Sequence, residues 1–249
     1  MIFNTHYPYI GGGGGVPKFT YTGQYSFIDD GSGNWRIKFL TSGVFTPRKA
    51  MTIDAFLVGG GGGSEGAPSN TGRTGGAGGG YTATHKAINL IAGTAYNIVV
   101  GAGGVGNNAG GQTSAFGNSV DGGSPGGTVG SGTAYGGSGG SGGGKADSGA
   151  YGASAGGSDG NNGGGYSALS PNNGKGQGTT TREFGESAGD LYAGGGGGHN
   201  KDSNAAGGDG GGAPGGQSAQ NNTGGGAGGS LKQTTTSGGS GIVVIRNAR

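Results

Sequence analysis

The residues that most often perform catalysis or bind metals are scarce in this chain. It has three histidines, twelve carboxylates and no cysteine among its 249 residues. The histidines (His6, His85 and His199) lie far apart, and none has a second histidine at the spacing of a metal site. The absence of cysteine excludes disulfides, thiolate ligands and a thiol nucleophile. Matches to G-x-G-x-x-G arise by chance at this glycine density, and none opens a helix. We therefore expect no enzyme activity, no metal site and no bound cofactor.

The best candidate for molecular recognition is the longest interruption of the glycine pattern, residues 166–192. Its aromatic and arginine side chains are of the types that anchor binding surfaces, and they give four candidate binding residues, Tyr166, Arg182, Phe184 and Tyr192. An alternative is that Phe184, together with Leu191, caps the end of the glycine-rich region as a small local core.

Other interruptions add weaker candidates. Residues 145–151 and 199–204 contribute Tyr151 and His199, which could lie on the same surface. Glu183 and Glu186 flank Phe184-Gly185 and could form a site, but two carboxylates three residues apart in a loop are most often solvated. These two residues are therefore expected to be solvated.

The composition limits how these side chains can be positioned. Glycine accounts for 75 of the 249 residues, and only nine of them precede residue 59. There is no strict G-X-Y period, and seven prolines are too few for a collagen helix. The net charge of +2 gives no electrostatic footprint for nucleic acid. The first residues lack the features of a signal peptide, and no apolar stretch approaches the length of a membrane span.

Strand-like runs are concentrated near the two ends of the sequence. Residues 52–58 form the strongest run, and residues 35–40 place Trp35, Ile37 and Phe39 on one face. The final apolar run, 242–246, is typical of a central strand, so it must pair with strands formed much earlier in the chain. Glycine interrupts every window in which a helix could form.

These patterns predict a mainly β protein with almost no α-helix. We expect strands of one sheet system that carry a large inserted bundle of polyglycine II helices. The division we predict is an N-terminal β module (1–58), a glycine-rich region (59–241) with a β-hairpin near 81–100, and a C-terminal strand (242–249) that closes the sheet.

The glycine runs can be ordered only through backbone hydrogen bonds, because glycine has no side chain to bury and loses much backbone entropy on folding. A polyglycine II helix has three residues per turn and no internal hydrogen bonds, so its amides and carbonyls point outward. Helices of this kind that lie side by side can satisfy one another's backbone groups. A side chain is then tolerated only where it points out of the bundle.

Five sequence stretches resemble the glycine-rich domain of bacteriophage and prophage tail proteins. They are residues 56–63, 78–82, 96–104, 113–117 and 238–246, and the resemblance covers roughly residues 50–249. The resemblance implies a small antiparallel β-sandwich that carries a large inserted bundle of polyglycine II helices. In tail-fibre adhesins of this kind, the bundle presents loops that bind a receptor on the host surface.

The resemblance implies a protein of the virion, at the tail tip or fibre, made in the host cytoplasm without a signal peptide. Its partners would be a host cell-surface glycan or outer-surface protein, and other tail or fibre proteins. A similar domain occurs in the anaplastic lymphoma kinase receptor, but that relative has cysteines and a signal peptide. The alternatives are a purely structural spacer of a virion or cell surface, and a protein that binds ice or the cell wall.

Overall fold

The computed structural model describes residues 16–66, 73–129, 134–146, 181–200, 203–230 and 234–249. Tyr151 and Tyr166 lie outside these residues. Within the described part, no helix is long and apolar enough to cross a membrane. Helical backbone there is limited to short turns, such as the 3₁₀ turn Glu183–Gly185.

The protein is a β-sandwich of two five-stranded antiparallel sheets, as the resemblance to phage tail proteins implies. The order of strands in the first sheet, sheet A, is β2-β3-β14-β5-β7, and in the second, sheet B, it is β1-β4-β8-β9-β10. A third sheet, with the order β11-β6-β12-β13, consists of two-residue strands. The strands are β1 Phe19–Tyr21, β2 Tyr25–Gly31, β3 Asn34–Phe39, β4 Gly43–Pro47, β5 Met51–Val58, β6 Arg73–Thr74, β7 Thr82–Leu90, β8 Tyr96–Val99, β9 Thr113–Ala115, β10 Asn118–Val120, β11 Thr128–Val129, β12 His199–Asn200, β13 Ser203–Asn204 and β14 Ile242–Asn247.

The core between the two sheets follows the alternation seen in the sequence. Trp35, Ile37 and Phe39 of β3 are buried, while the residues between them are only half-buried. Together with Phe45 of β4 and Ile98 of β8 they belong to one apolar cluster that joins both sheets. Period-two patterning therefore fixes which face of each strand enters the sandwich.

Strand β14 lies at the centre of sheet A. It pairs with β3 on one side and β5 on the other, so the last strand of the chain joins strands formed some two hundred residues earlier. Residues 242–246 are all buried because both faces of the sheet are covered at this position. An uninterrupted apolar run is the expected signature of such a strand.

The predicted hairpin near residues 81–100 is wrong. Strand β7 pairs with β5 in sheet A, whereas β8 pairs with β4 and β9 in sheet B. The intervening residues 91–95 therefore carry the chain from one sheet to the other. Their turn residues favour a reversal of direction but do not specify that the two strands pair with each other.

The first glycine run continues directly from β5. Successive amides of residues 59–64 donate to three different neighbouring segments in rotation, over N···O distances of 2.9–3.1 Å. The acceptors, in order, are Tyr81, Gly111, Gly239, Gly78, Asn108 and Thr236. Every third amide thus returns to the same neighbour, which is the period of a polyglycine II helix. None of the glycines 59–63 has a positive φ.

The carbonyls of the same run bind three further segments. Gly60 and Gly63 accept from residues 123 and 126, Gly61 accepts from Gly104, and Gly62 accepts from Ala227. The run therefore has six hydrogen-bonded neighbours, three through its donors and three through its acceptors. This arrangement satisfies the backbone without any side chain and has the hexagonal geometry of packed threefold helices.

The second glycine segment, residues 75–81, follows the same rule. The amides of residues 75, 78 and 81 donate to the carbonyls of residues 127, 124 and 121. Segments 75–81 and 121–127 therefore run antiparallel, with a hydrogen bond at every third residue. Residues 76 and 79 donate to 144 and 141, and residues 77 and 80 donate to 227 and 224. The glycine-rich segments thus form a single hydrogen-bonded lattice rather than separate loops.

Backbone crowding explains why these positions are glycine. A Cβ added to Gly61 or Gly196 would lie well inside 3.0 Å of a neighbouring backbone carbonyl oxygen, that of Gly225 or Ala227 respectively. By contrast, Ala102 lies in a glycine segment but is exposed. A methyl group is therefore tolerated at Ala102, where the segment faces out of the lattice.

Candidate functional site

Two parts of the molecule bring together side chains that can interact with other groups. One is the outer face of sheet A. Residues 181–193, here called the covering segment, lie against this face. The other is the end of the glycine bundle furthest from the sandwich, here called the distal end.

The outer face of sheet A is charged at one end and apolar at the other. Arg36 of β3, Arg246 of β14 and Asp54 of β5 form one row across three neighbouring strands. Arg36 and Arg246 are directly opposite each other, and two like charges in this position are destabilising unless carboxylates neutralise them. Asp54 does so in part, because its carboxylate accepts from Arg246 Nε at 3.2 Å.

The covering segment supplies the remaining carboxylates. Glu183, with a side chain only 1% exposed, pairs with Arg36 at 2.5 Å and with Lys38 at 3.0 Å. Glu186 pairs with Arg246 at 2.5 Å, and Asp190 pairs with Lys38 at 2.7 Å. The expectation that Glu183 and Glu186 are simply solvated is therefore wrong, because both neutralise arginines of the sheet beneath them.

Aromatic side chains hold the same segment against the apolar part of the sheet. Phe184 and Tyr192 both pack on Phe56, with ring centroids 6.0 and 5.5 Å away. Arg246 lies over the Phe184 ring at 4.1 Å. Phe184 is 7% exposed and Tyr192 is 5% exposed. These two candidate binding residues therefore face the protein interior, and their placement on an exposed binding tip is wrong.

Backbone geometry lets Phe184 reach the sheet. Its φ of 56° lies in the left-handed region, and the 3₁₀ turn that contains it places Glu183 and Phe184 in buried positions together. A non-glycine residue in this region is strained unless surrounding contacts compensate. The alternative that Phe184 forms a local core is close to the observed structure, but this core covers sheet A rather than the end of the bundle.

The ionisable groups of this cluster titrate away from their ordinary values. Burial raises the pKa of the Tyr192 hydroxyl, and the neighbouring Glu183 carboxylate raises it further. Burial alone would lower the pKa of Lys38, but Tyr192, Asp190 and Glu183 outweigh that effect and raise it. The hydrogen bond from Lys38 holds the pKa of Asp190 below its usual range. The shifts of Lys38 and Asp190 favour their ion pair, and the shift of Tyr192 keeps its hydroxyl neutral and able to donate to Glu183.

A small cavity of about 150 Å³ lies at the edge of this cluster. It is lined on one side by Asp30, Arg36 and Arg249, and on the other by Glu183, Phe184 and Glu186. Asp30 accepts from both arginines, so each charged group in the lining has an oppositely charged partner. This compensation is typical of a structural contact.

The distal end is where the described interruptions of the glycine pattern meet. His199 pairs with Thr74, which neighbours Thr128 of β11, and the Thr74 hydroxyl donates to the carbonyl of Ser230 at 2.7 Å. Ser64 bridges Thr236 and Gly126 at the same level. From residue 59 to residue 64 the helix rises about 16 Å, so these groups lie that far from the sandwich.

Two large apolar side chains are exposed at the distal end. Tyr135 is 63% exposed and has Lys145 Nζ 5.6 Å from its ring centroid, and Val105 is 54% exposed. The chain also leaves the described part of the structure here, since Arg73, Ala134, Ala146, Asn200 and Ser230 flank undescribed segments. The sequence offered no signal for Tyr135, which is the only aromatic residue in the glycine-rich stretch 117–150.

The two remaining candidate binding residues of the described structure, His199 and Arg182, lie at the distal end and in the covering segment respectively. His199 is half-buried at the distal end, and burial lowers its pKa. Its Nδ1 has no hydrogen-bond partner within the described residues. Arg182 is half-buried in the covering segment, where its guanidinium donates to the Gly189 carbonyl at 3.2 Å. The six candidate residues are thus not brought together in one site by the described structure.

A β-sandwich with an inserted lattice of threefold glycine helices defines the class of this protein. A family model described as a glycine-rich domain matches residues 40–248, which is most of the chain. The chain belongs to this glycine-rich domain family. No curated protein matches the sequence.

Proposed function

We propose that this chain is a non-enzymatic adhesin of a phage or prophage tail, which binds a receptor on the host cell surface through the distal end of its glycine bundle. The observation that carries the proposal is that the described interruptions of the glycine pattern meet at one end of a rigid lattice, about 16 Å from the sandwich. The resemblance of residues 50–249 to tail proteins supports the same function.

The hydrogen bonding of the lattice limits which parts of the molecule can bind a receptor. Its amides and carbonyls are engaged with one another, so the glycine segments have few groups available for a ligand. The covering segment is engaged with sheet A through Glu183, Phe184 and Tyr192. Exposed side chains on loops that a rigid scaffold positions are the usual place for binding. At the distal end, Tyr135 and Val105 are such side chains.

Rigidity also favours affinity. A side chain whose backbone is already fixed loses less entropy on binding than one on a mobile loop. Tyr135 is held by hydrogen bonds on both sides, since its carbonyl accepts from Gly127 at 2.9 Å and the neighbouring Ala134 pairs with Ala146. An exposed aromatic ring in this setting suits either a sugar ring or an apolar side chain of a surface protein.

A cell-binding assay tests the proposal. Fluorescently labelled protein is titrated onto a panel of bacterial strains, and a strain that binds the wild-type chain is then used for variants. Combining Tyr135→Ala with Val105→Ser should weaken binding at least tenfold, because both exposed distal contacts are removed. The matched control is Val99→Ser, which removes an exposed apolar side chain (44% exposed) from sheet B.

Two results would count against the adhesin function. If the folded chain binds no strain in a broad panel, the spacer function is favoured, and the rigid lattice that separates the two ends of the molecule supports that alternative. If the distal variant binds as wild type does while Val99→Ser abolishes binding, recognition occurs at the sandwich instead.

A further inference from the structure

The cations of the sandwich fall into two groups with opposite surroundings. On the outer face of sheet A, Arg36, Lys38 and Arg246 are each paired with carboxylates. Lys18, Arg48 and Lys49 are exposed, and none of them forms an ion pair within the described residues. The protein therefore neutralises one set of cations internally and leaves the other set available.

The three unpaired cations lie together. Arg48 N donates to the carbonyl of Lys18 at 2.8 Å, and Lys49 follows Arg48 in the turn between β4 and β5. Like charges held this close repel one another, and an oppositely charged partner would remove that cost. Because β1 and β4 are paired through Phe19 and Pro47, their spacing is set by the fold.

An exposed apolar side chain adjoins these cations. The amide of Gly93 donates to the carbonyl of Pro47 at 2.7 Å, which brings the turn of residues 91–95 against the start of the basic turn. Ile91, in this turn, is 66% exposed, the largest exposure among the large apolar side chains of the described residues. The turn also has exposed residues at 92–95.

This surface is remote from the glycine bundle. Strand β5 begins at Met51, two residues after Lys49, and delivers the chain to the bundle at Val58. Seven residue steps of extended strand separate these points by about 23 Å. The surface thus lies at the end of the sandwich opposite the distal end, and an occupant here leaves the distal end free.

We propose that Lys18, Arg48, Lys49 and Ile91 form a docking surface for an acidic protein surface, by which the chain attaches to a neighbouring subunit. The positive charge calls for a partner with carboxylates, and charge complementarity of this kind steers association and fixes orientation. The exposed Ile91 side chain favours an acidic protein over a sulfated polysaccharide as the anionic partner. A protein interface combines an apolar contact with a charged rim, whereas a sulfated polysaccharide has no group that needs Ile91. This attachment goes beyond the proposed receptor binding and holds whether or not the distal end binds a receptor.

Binding of the full chain to three defined polymers tests this surface. The probes are poly-L-glutamate, an acidic copolymer of glutamate and tyrosine, and dextran sulfate, each titrated by fluorescence anisotropy at two salt concentrations. We expect the copolymer to bind most tightly. The triple variant Lys18→Ser, Arg48→Ser, Lys49→Ser should weaken that binding about tenfold or more and flatten its dependence on salt. Ile91→Ser should reduce affinity for the copolymer to that for poly-L-glutamate.

Matched controls make the result specific. Lys86→Ser removes another exposed cation, in β7, and should leave binding unchanged. Val99→Ser removes an exposed apolar side chain of β8 and should also have no effect. Wild-type binding by the triple variant would overturn the proposal. So would dextran sulfate binding as tightly as the copolymer with no effect of Ile91→Ser, because that result favours a polysaccharide. Neither outcome bears on the cell-binding assay, which depends on Tyr135 and Val105.

Discussion

Changing Glu183 to Gln should detach the covering segment from sheet A. The carboxylate is 1% exposed, pairs with Arg36 and Lys38, and accepts from the Tyr192 hydroxyl at 2.9 Å. An amide of the same shape retains at most part of this hydrogen bonding and none of the charge. Arg36 and Lys38 keep Asp30 and Asp190 as second partners, so the cost falls at the low end for a broken buried ion pair, about 3 kcal/mol.

The matched control is Asp190→Asn. Asp190 also pairs with Lys38, but its side chain is 63% exposed, so solvent screens the interaction. An exposed pair of this kind contributes about 0–1 kcal/mol. The two variants therefore remove a carboxylate from the same cluster and differ chiefly in burial.

Urea unfolding measures both effects. Trp35 is the only tryptophan of the chain and is 5% exposed in the core between the sheets, so its fluorescence reports unfolding of the sandwich. Hydrogen exchange at the amides of Tyr192 and Ala193, which donate to Thr181 and Thr223, reports the covering segment itself. Equal destabilisation by the two variants, or a loss below about 1 kcal/mol for Glu183→Gln, would refute the reasoning.

Two further predictions concern the bundle. Gly61→Ala should destabilise the protein by several kcal/mol, because the added Cβ meets the Gly225 carbonyl. That clash breaks lattice hydrogen bonds, which contribute about 1 kcal/mol each. The control Ala102→Val, at an exposed position, should cost about 0.5 kcal/mol or less. Thermal unfolding of both variants checks the difference. Because burial lowers the pKa of His199 from 6.5, its contribution to stability is present above pH 6.5 and is lost as the pH falls towards the folded value. A His199→Asn variant should lose less stability than wild type between pH 7.5 and 5, and identical pH profiles would contradict this.

Much of the sandwich could be predicted because its strands carry side-chain patterns. The alternation of Trp35, Ile37 and Phe39 identifies the buried face of β3, and the turn residues that follow Asp29 identify the hairpin between β2 and β3. The unbroken apolar run of β14 identifies a strand covered on both faces. In each case the pattern reports burial, which a single sequence encodes directly.

Pairing between sheets is less visible in the sequence. The turn residues between β7 and β8 indicate that the chain changes direction, but a hairpin and a crossing to the opposite sheet share the same local signal. The hydrogen-bond partners in the glycine lattice are also hidden, because a run of identical residues has no side-chain period. The existence of the bundle could be predicted, whereas its register could not.

The role of the covering segment could be inferred only in part. Phe184 and Tyr192 have the composition of a binding surface, and the same residues serve equally well as a local core. The strands of sheet A did contain one indication that another segment covers this sheet. Asp54 interrupts the strongest apolar run, and Arg246 directly follows the apolar run of the last strand, so both charges needed partners once buried. That requirement pointed to charged residues elsewhere, but not to Glu183 or Glu186.

Scalar couplings across hydrogen bonds test the lattice most directly. In uniformly ¹⁵N,¹³C-labelled protein, NMR should detect couplings from the amide nitrogens of residues 59, 60 and 61 to the carbonyl carbons of residues 81, 111 and 239 respectively. Residues 62, 63 and 64 should then repeat the rotation with residues 78, 108 and 236. Three neighbours visited in turn, with a period of three, is the result that packed polyglycine II helices predict. Couplings to a single neighbouring segment, as in a β-strand, or no couplings together with random-coil exchange rates, would contradict it.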